Sequence, residues 1–400
     1  MDTELLRQLA TPNDTKILLC VVDGLGGLPD PETRKSELET AHTPNLDRLA
    51  GDSVCGMTLP VGYGVTPGSG PGHIALFGYD PLKYEVGRGV LEALGIDFDL
   101  QGSDVAARGN FCTLDAAGNI TDRRAGRIAT EICIELCERM RKVKLAGVEV
   151  LVEPVREHRF VLVLRGEGLD DGLEQTDPER EGVPMLPVKA ERPEARRTAE
   201  LANEFVRQAG ELISDHPQAN GILLRGFAKY PNWPAMPEVT QMRAGAFAVY
   251  PMYRGLAKLV GMDVAPGGGT YESQLAAVRK AWDEFDFVFY HFKKADAAGE
   301  DGDFDAKVEA LQEFDTLVPA LRDLGADVMM VAGDHSTPAQ LAAHSWHPVP
   351  FLLQSHLGTV DKVEAFTEEA CRHGMLGIFP AKEALSLAMA NAGRLMKFGA

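Results

Sequence analysis

Residues 16–24 read Lys16-Ile17-Leu18-Leu19-Cys20-Val21-Val22-Asp23-Gly24, an apolar run that stops on an aspartate and a glycine. A half-exposed strand alternates apolar and polar residues, so a continuous run rich in β-branched side chains predicts a strand covered on both faces, as in a parallel sheet. Two later runs repeat the pattern: FDFVFYHF (285–292), with Asp296 shortly after it, and ADVMMVAG (326–333), which leads into Asp334-His335. Open α/β sheets bind ligands beyond the carboxyl ends of their strands. Three buried strands delivering Asp23, Asp296 and Asp334 to that edge predict one acidic cleft.

Helix signals lie beside these runs. Thr43-Pro44-Asn45-Leu46-Asp47 predicts a helix start, with Thr43 as N-cap, proline at the first position and an acid in the first turn. Residues 305–323 carry apolar positions at helical spacing, and Pro319 is expected to kink or end that helix. Strand, helix and strand in succession predict a right-handed crossover between parallel strands. The middle of the chain differs. Residues 171–198 are rich in proline and charge and predict a long exposed loop, flanked by strand candidates at 148–153, 159–166 and 220–226. The expected architecture is an α/β core of residues 1–83 and 236–400 with a mostly parallel sheet, interrupted by a smaller inserted domain of residues 84–235. The glycines at 267–269 read as a loop.

Composition bounds the function. Of 400 residues, 45% are hydrophobic and 25% charged, the range of an ordinary folded protein. The 40 basic and 59 acidic side chains give a formal charge of -19, which repels polyanions and argues against nucleic acid or an anionic membrane as partner. A small anionic substrate must then find a local basic pocket. The first residues show no basic segment followed by an apolar one, and no window reaches the roughly 18 apolar residues of a membrane span, so a cytoplasmic location is expected. Only Cys133 and Cys137 of the six cysteines lie close in sequence, and no CxxC pair exists. Reduced, structural thiols are expected.

Three constellations carry chemistry. In Thr66-Pro67-Gly68-Ser69-Gly70-Pro71-Gly72-His73 a serine stands before an apolar, helix-forming stretch. At a helix N-terminus, free N–H groups and the dipole favour an anion such as a phosphoryl group. Judged on this stretch alone, a serine that merely caps the helix is the better reading. A serine-hydrolase elbow needs glycine two residues either side of the serine, where Pro67 and Pro71 stand, although aspartate and histidine partners could still come from elsewhere. The second constellation is Asp334-His335 with His344 and His347 nearby. Carboxylates and imidazoles together suit Mn²⁺, Zn²⁺ or iron. An isolated Asp-His pair is usually a cap with a surface histidine, but Asp23, Asp296 and His344 join it at one sheet edge. Two divalent ions about 4 Å apart would activate the serine hydroxyl and stabilise phosphoryl oxygens. The third is a basic set: Arg88, Arg108, the run Asp122-Arg123-Arg124-Ala125-Gly126-Arg127, His158-Arg159 and Arg225. Arginine grips carboxylate and phosphate bidentately. The turn at 23–27 lacks the third glycine of a dinucleotide fingerprint and no GxxxxGK[ST] occurs, which removes both nucleotide readings.

The stretches VVDGLGGLPD, AHTPNLDRLA, PGSGPGHIALFGYDP, GRGVLEALG, TDRRAGRIATE, KKADAAG, AGDHSTP, HSWHPVP and KFGA occur in this order. Together they resemble the archaeal-type, cofactor-independent phosphoglycerate mutases of the alkaline phosphatase superfamily. The resemblance implies a three-layer alkaline-phosphatase-like core and a phosphoserine at Ser69, formed from 3-phosphoglycerate and returned to the 2-hydroxyl of the retained glycerate, without bisphosphoglycerate. It implies one metal on Asp23, Ser69, Asp334 and His335 and another on Asp296 and His344, with Mn²⁺ the expected ion and Mg²⁺, Co²⁺ or Zn²⁺ as alternatives. Where the family pattern DxAGH has histidine, this chain has Glu300, which is expected to ligate in its place, with His291 or His347 as alternatives. Arg88, Arg123, Arg124, Arg127, His158, Arg159 and Arg225 are the expected substrate contacts, on an inserted domain acting as a lid against water. Competing readings are a phosphatase, a phosphopentomutase-like enzyme or a proposed homoserine kinase on the same core, and a non-catalytic binding protein.

Overall fold

The computed structural model describes residues 1–265 and 269–399. Of the expected loop at 267–269 only Gly269 therefore falls among the described residues, and Ala400 of the terminal KFGA lies outside them. The chain divides into two compact units, residues 1–85 with 233–400, and residues 86–232.

The first unit is built on an eight-stranded sheet in the order Ile378–Pro380, Val54–Leu59, Val349–Ser355, Val328–Ala332, Ile17–Val22, Phe287–Phe292, Ala244–Phe247, Asp263–Val264. Only Val349–Ser355 runs against the rest. Ile17–Val22 is fully buried and hydrogen-bonds in parallel to both neighbours, so that Val22 pairs with Phe292 and Val21 with Ala332. That register brings the three carboxyl ends together. Leu18, Cys20, Val22, Tyr290 and Phe292 share a core with apolar residues of the helices Pro44–Gly51, Tyr271–Ala281 and Phe304–Arg322. Phe289 points to the other face and meets Phe77, just past the helix Ser69–Leu76, edge to face at 5.0 Å. Helices on both faces make the three layers that continuous apolar strands require. Each such side chain removed from water contributes roughly 1.5–3 kcal/mol.

Two local expectations are corrected. Thr43 occupies the N-cap of Pro44–Gly51, but its side chain makes no capping bond. The Asp315 carboxylate of Phe304–Arg322 accepts instead from the N–H of Asn45 at 3.0 Å and of Leu46 at 2.7 Å. Pro319 does not end its helix, which continues to Arg322. Proline deprives the carbonyl four residues earlier of its donor; here that carbonyl, of Asp315, accepts from Asn45 Nδ2 at 3.2 Å.

The second unit is α+β. Its antiparallel sheet orders Ile120–Asp122, Asp104–Leu114, Arg159–Arg165 and Glu149–Arg156, and Gly221–Lys229 also pairs with Asp104–Leu114. One face packs Phe111, Phe160, Leu162 and Leu164 against apolar residues of the helices Thr130–Met140 and Arg196–Ile213. Residues 171–198 are not wholly an exposed loop: Leu173, Thr176, Asp177 and Val188 are buried, and Thr176 Oγ1 accepts from the Leu224 N–H at 2.7 Å. The segment's end, from Pro193, is already helical. All six cysteines are free and buried. Among the described residues no helix is long and apolar enough to cross a membrane.

Candidate active site

The aspartates converge because the backbone permits close approach. The Asp23 N–H donates to the Phe292 carbonyl at 2.8 Å, and Gly24 then turns the chain at φ +68°, where a Cβ would lie 2.7 Å from the Asp296 Cα. The Gly24 N–H donates to Asp334 Oδ1 at 3.2 Å. Gly72 does the same for the serine helix, since a Cβ there would stand 2.1 Å from the Asp334 carbonyl oxygen. Ser69 is the first residue of that helix and Gly68 holds the N-cap position, so the serine is not the cap. Its Oγ lies 3.2 Å from His335 Nε2.

Thr337 sets the tautomer of His335. Its hydroxyl has one proton, donated to Asp296 Oδ1 at 2.8 Å, so its 2.8 Å contact with His335 Nδ1 is accepted from that nitrogen. Nε2 is left facing Ser69, Asp334 Oδ2 at 3.1 Å and Asp23 Oδ1 at 3.5 Å. Fixing an imidazole through its far nitrogen is how metal-ligating histidines are usually held.

Three groups bring ligand atoms within 4.8 Å of one another: Asp23, Asp334 and His335; Asp296, His335 and His344; Asp23, His73 and His291. Asp23, Asp296, Asp334 and His335 are fully buried. Burial and Asp334 work to raise Asp23, but Lys293, His291 and His335 outweigh them and hold it at about 2. Burial likewise opposes ionisation of Asp334, yet His335 and His73 keep it well below the usual carboxylate range. Asp296 goes the other way, raised by burial and by Asp23. His344 is pushed up to about 9, because Glu300, the Pro67 carbonyl and Asp296 overcome its burial.

Clustered carboxylates call for a cation, and the Lys293 ammonium stands among them, paired with Asp296 and 3.4 Å from Asp23 Oδ1. Asp334 Oδ2 has no well-formed hydrogen bond although two imidazole nitrogens stand 3.1 Å away. An ionised, buried oxygen in that position is a ligand-type donor, and the mixed oxygen and nitrogen set suits a divalent ion.

One sheet face of the second unit gathers the opposite charge. Arg108 pairs across the sheet with Arg225, and Asn110 with Arg159. Side chains alternate along a strand, so Arg108, Arg159 and Arg225 share the sheet face turned away from the helices Thr130–Met140 and Arg196–Ile213, where Glu92 of the helix Arg88–Gly95 stands 3.5 Å from Arg108 Nε. Burial, followed by Arg159, Arg88 and Arg225, drives Arg108 down to about 10 against the opposing pull of Glu92. Such mutual repulsion marks a face suited to an anion. Arg225 is also paired with Asp177 at 3.3 Å and with Glu179. Arg123 grips the buried Asp177 with two bonds, of 2.9 and 2.7 Å, whereas Arg124 and Arg127 are exposed. They sit on a tight turn whose residues Ala125, Gly126 and Arg127 all have positive φ, held by two backbone N–H bonds to the Asp122 carboxylate. His158 is buried beside Arg159.

The family described as 2,3-bisphosphoglycerate-independent phosphoglycerate mutase matches residues 50–219. A Thermotoga neapolitana protein named "Probable 2,3-bisphosphoglycerate-independent phosphoglycerate mutase" is 49% identical over 398 residues, 98% of each chain. The chain belongs to this family. A Thermus thermophilus protein of the same name is 48% identical over 99% of this chain and 98% of its own. Among solved structures, a Pyrococcus horikoshii protein superposes with TM-score 0.84 at 29% identity, covering 97% of this chain and 100% of that one. The cofactor-independent phosphoglycerate mutase of Thermoplasma acidophilum does so with TM-score 0.70 at 29% identity, over 94% and 100%. Family membership makes the protein an enzyme of the isomerase class, and its ligand clusters support use of a divalent metal.

Of the residues read from the sequence, the fold of this mutase brings Asp23, Ser69, Asp296, Asp334, His335 and His344 together. Glu300 stands at the rim, its side chain 55% exposed and 3.4 Å from His344 Nε2. His291 contacts Asp23 at 3.0 Å, and His347 contacts Ser345 Oγ. Sequence reasoning missed His73 and Lys293. His73 lies one helical turn after Ser69, donates from Nδ1 to the Ser69 carbonyl at 2.8 Å and stands 3.1 Å from Asp334 Oδ2; the i,i+4 spacing was its signal. Lys293 precedes Asp296 by three residues, within the quoted KKADAAG stretch.

Proposed function

We propose that this mutase interconverts 3-phosphoglycerate and 2-phosphoglycerate through a phosphoserine at Ser69, at a centre of two divalent ions and without bisphosphoglycerate, in the cytoplasm. The supporting observation is Ser69 Oγ at a helix N-terminus, 3.2 Å from His335 Nε2 and inside the carboxylate and imidazole cluster. The bound ions would supply Lewis acidity for the serine oxygen and the phosphoryl oxygens. Asp23, Ser69, Asp334 and His335 are the proposed ligands of one, and Asp296, His344 and Glu300 of the other; Mn²⁺ fits this donor set.

Ser69 Oγ forms a bond to phosphorus as the bond to the 3-oxygen of glycerate breaks. The glycerate stays bound, and its 2-hydroxyl then attacks the phosphoserine and restores Ser69. The serine proton passes to the departing 3-oxygen, and the proton of the attacking 2-hydroxyl returns to Ser69 Oγ, so no water is consumed. The first-turn N–H groups of the helix Ser69–Leu76 donate to phosphoryl oxygens, and the Lys293 ammonium balances carboxylate charge. Arg88, Arg108, Arg159 and Arg225 are the groups proposed to grip the carboxylate and phosphate of the substrate, with Arg124, Arg127 and His158 beside them.

An enolase-coupled assay with 3-phosphoglycerate, free of 2,3-bisphosphoglycerate, tests the reading. Activity is expected with Mn²⁺ and is expected to vanish with EDTA and return on adding Mn²⁺. Turnover that ignores the chelator would overturn the metal centre.

A further inference from the structure

Lys307 is fully buried, one of the largest side chains in the protein to be so, and the reaction just described gives it no task. It lies in the first turns of the helix Phe304–Arg322. Its Nζ donates to the Gly26 carbonyl at 2.9 Å and to the Thr337 carbonyl at 2.8 Å, and stands 3.8 Å from Glu37 Oε1. Gly26 is three residues beyond Asp23. Thr337 is two beyond His335, and its hydroxyl sets the His335 tautomer and bonds Asp296. A single ammonium thus joins the two loops that present Asp23, Asp334 and His335.

Stripping an ammonium of water is costly, and burial does lower the Lys307 pKa, with Glu37 and Glu368 opposing that shift. A methionine would fill the same space without a charge. What packing alone does not supply is directed donors that hold two carbonyls at fixed separation. The acids behind the lysine extend the same clasp: Glu37 Oε1 accepts from the Ala339 N–H at 2.7 Å, and Glu368 Oε1 from the Gly27 N–H at 2.9 Å. The Thr337 N–H also donates to the Gly26 carbonyl at 3.0 Å.

We propose that Lys307 is a positioning residue, clamping the Asp23 and Asp334-His335 loops so that their side chains are arranged before a cation arrives. The idea rests on the metal centre proposed above. Removing groups that orient metal ligands typically weakens affinity about 10–100-fold.

The test compares the wild type with Lys307→Met and with Lys307→Met/Glu37→Gln, in which Glu37 is no longer left as an unpaired buried charge while its acceptor oxygen is kept. Thermal stability, Mn²⁺ affinity by titration calorimetry and amide hydrogen exchange are measured on each. The single variant should lose both stability and affinity. The double variant should regain stability yet bind Mn²⁺ about 10–100-fold more weakly. In it the Gly24 amide, which donates to Asp334, should exchange at least about tenfold faster, with the strand Phe287–Phe292 still protected. A double variant with wild-type affinity and wild-type Gly24 exchange would overturn the clamp, as would one that does not fold, which would make Lys307 part of the scaffold. A wild type that takes up no Mn²⁺ would refute the metal centre instead, and the exchange of Gly24 would then decide the clamp by itself.

Discussion

The two units gather charge in different ways. In the first, a parallel sheet ends three strands side by side, and each contributes an aspartate from a distant part of the chain; the result is a buried, acidic centre. In the second, neighbouring antiparallel strands place Arg108, Arg159 and Arg225 on one face by simple alternation, and the result is basic and partly open to solvent. The difference teaches that carboxylates are buried here by topology, whereas guanidinium groups are displayed by register. Slipping any one of these strands by a residue would send its arginine into the core.

The largest effect expected from breaking this contrast is at the acidic centre. Ser69→Ala removes the proposed nucleophile and should lower kcat on the order of 10⁴-fold or more in the coupled assay. Residual activity within tenfold of wild type would separate the cluster from the reaction. Two arginines of the second unit sharpen the other side. Arg108→Ala should raise KM and reduce kcat/KM about 10–100-fold, the worth of a charged hydrogen bond, with little loss of folding stability. Arg123→Ala should instead leave the buried Asp177 with less compensation, costing about 2–3 kcal/mol in denaturant unfolding while moving KM little. The reverse pattern in the two variants would exchange their roles.

Glu300 lies at the rim, so Glu300→Ala should weaken Mn²⁺ binding only about tenfold. Unchanged metal content and turnover would remove Glu300 from the ligand set. The smallest effect concerns His158, which burial, assisted by Arg159, Arg108, Arg124 and Arg127, holds at about 4, below the ordinary value near 6.5. The unfolded chain therefore takes up that proton first. Stability from this residue is complete above about pH 6.5 and declines as pH falls toward 4. His158→Gln should flatten the decline of thermal stability across that window, and an unaltered slope would contradict the assignment.

The acidic centre was legible because its signals are local: a continuous apolar run marks a doubly covered strand, and the aspartate after it marks the sheet's carboxyl edge. Partners that arise only from packing were not. Asp315 caps a helix some 270 residues earlier and displaces Thr43 from a task its position suggested. Arg123 sits in the densest basic run, and nothing local reveals that Asp177, in a segment read as loop, occupies it. Lys293 and His73 stood within quoted motifs, but their part depends on which carboxylates the fold brings near them. Glu300 falls between: its departure from DxAGH was visible, and its place at the rim beside His344 was not.

The strand Ile17–Val22 lies between Phe287–Phe292 and Val328–Ala332, so the middle of the larger sheet is shared by segments made far apart in time. During synthesis the first strand must wait for roughly 270 further residues before either neighbour exists, whereas residues 86–232 contain a whole sheet and core and can complete theirs on the way. Late closure of long-range pairs is slow, and an apolar strand left unpaired meanwhile is prone to associate. The insertion can therefore become native before the sheet whose strands lie on either side of it in the sequence.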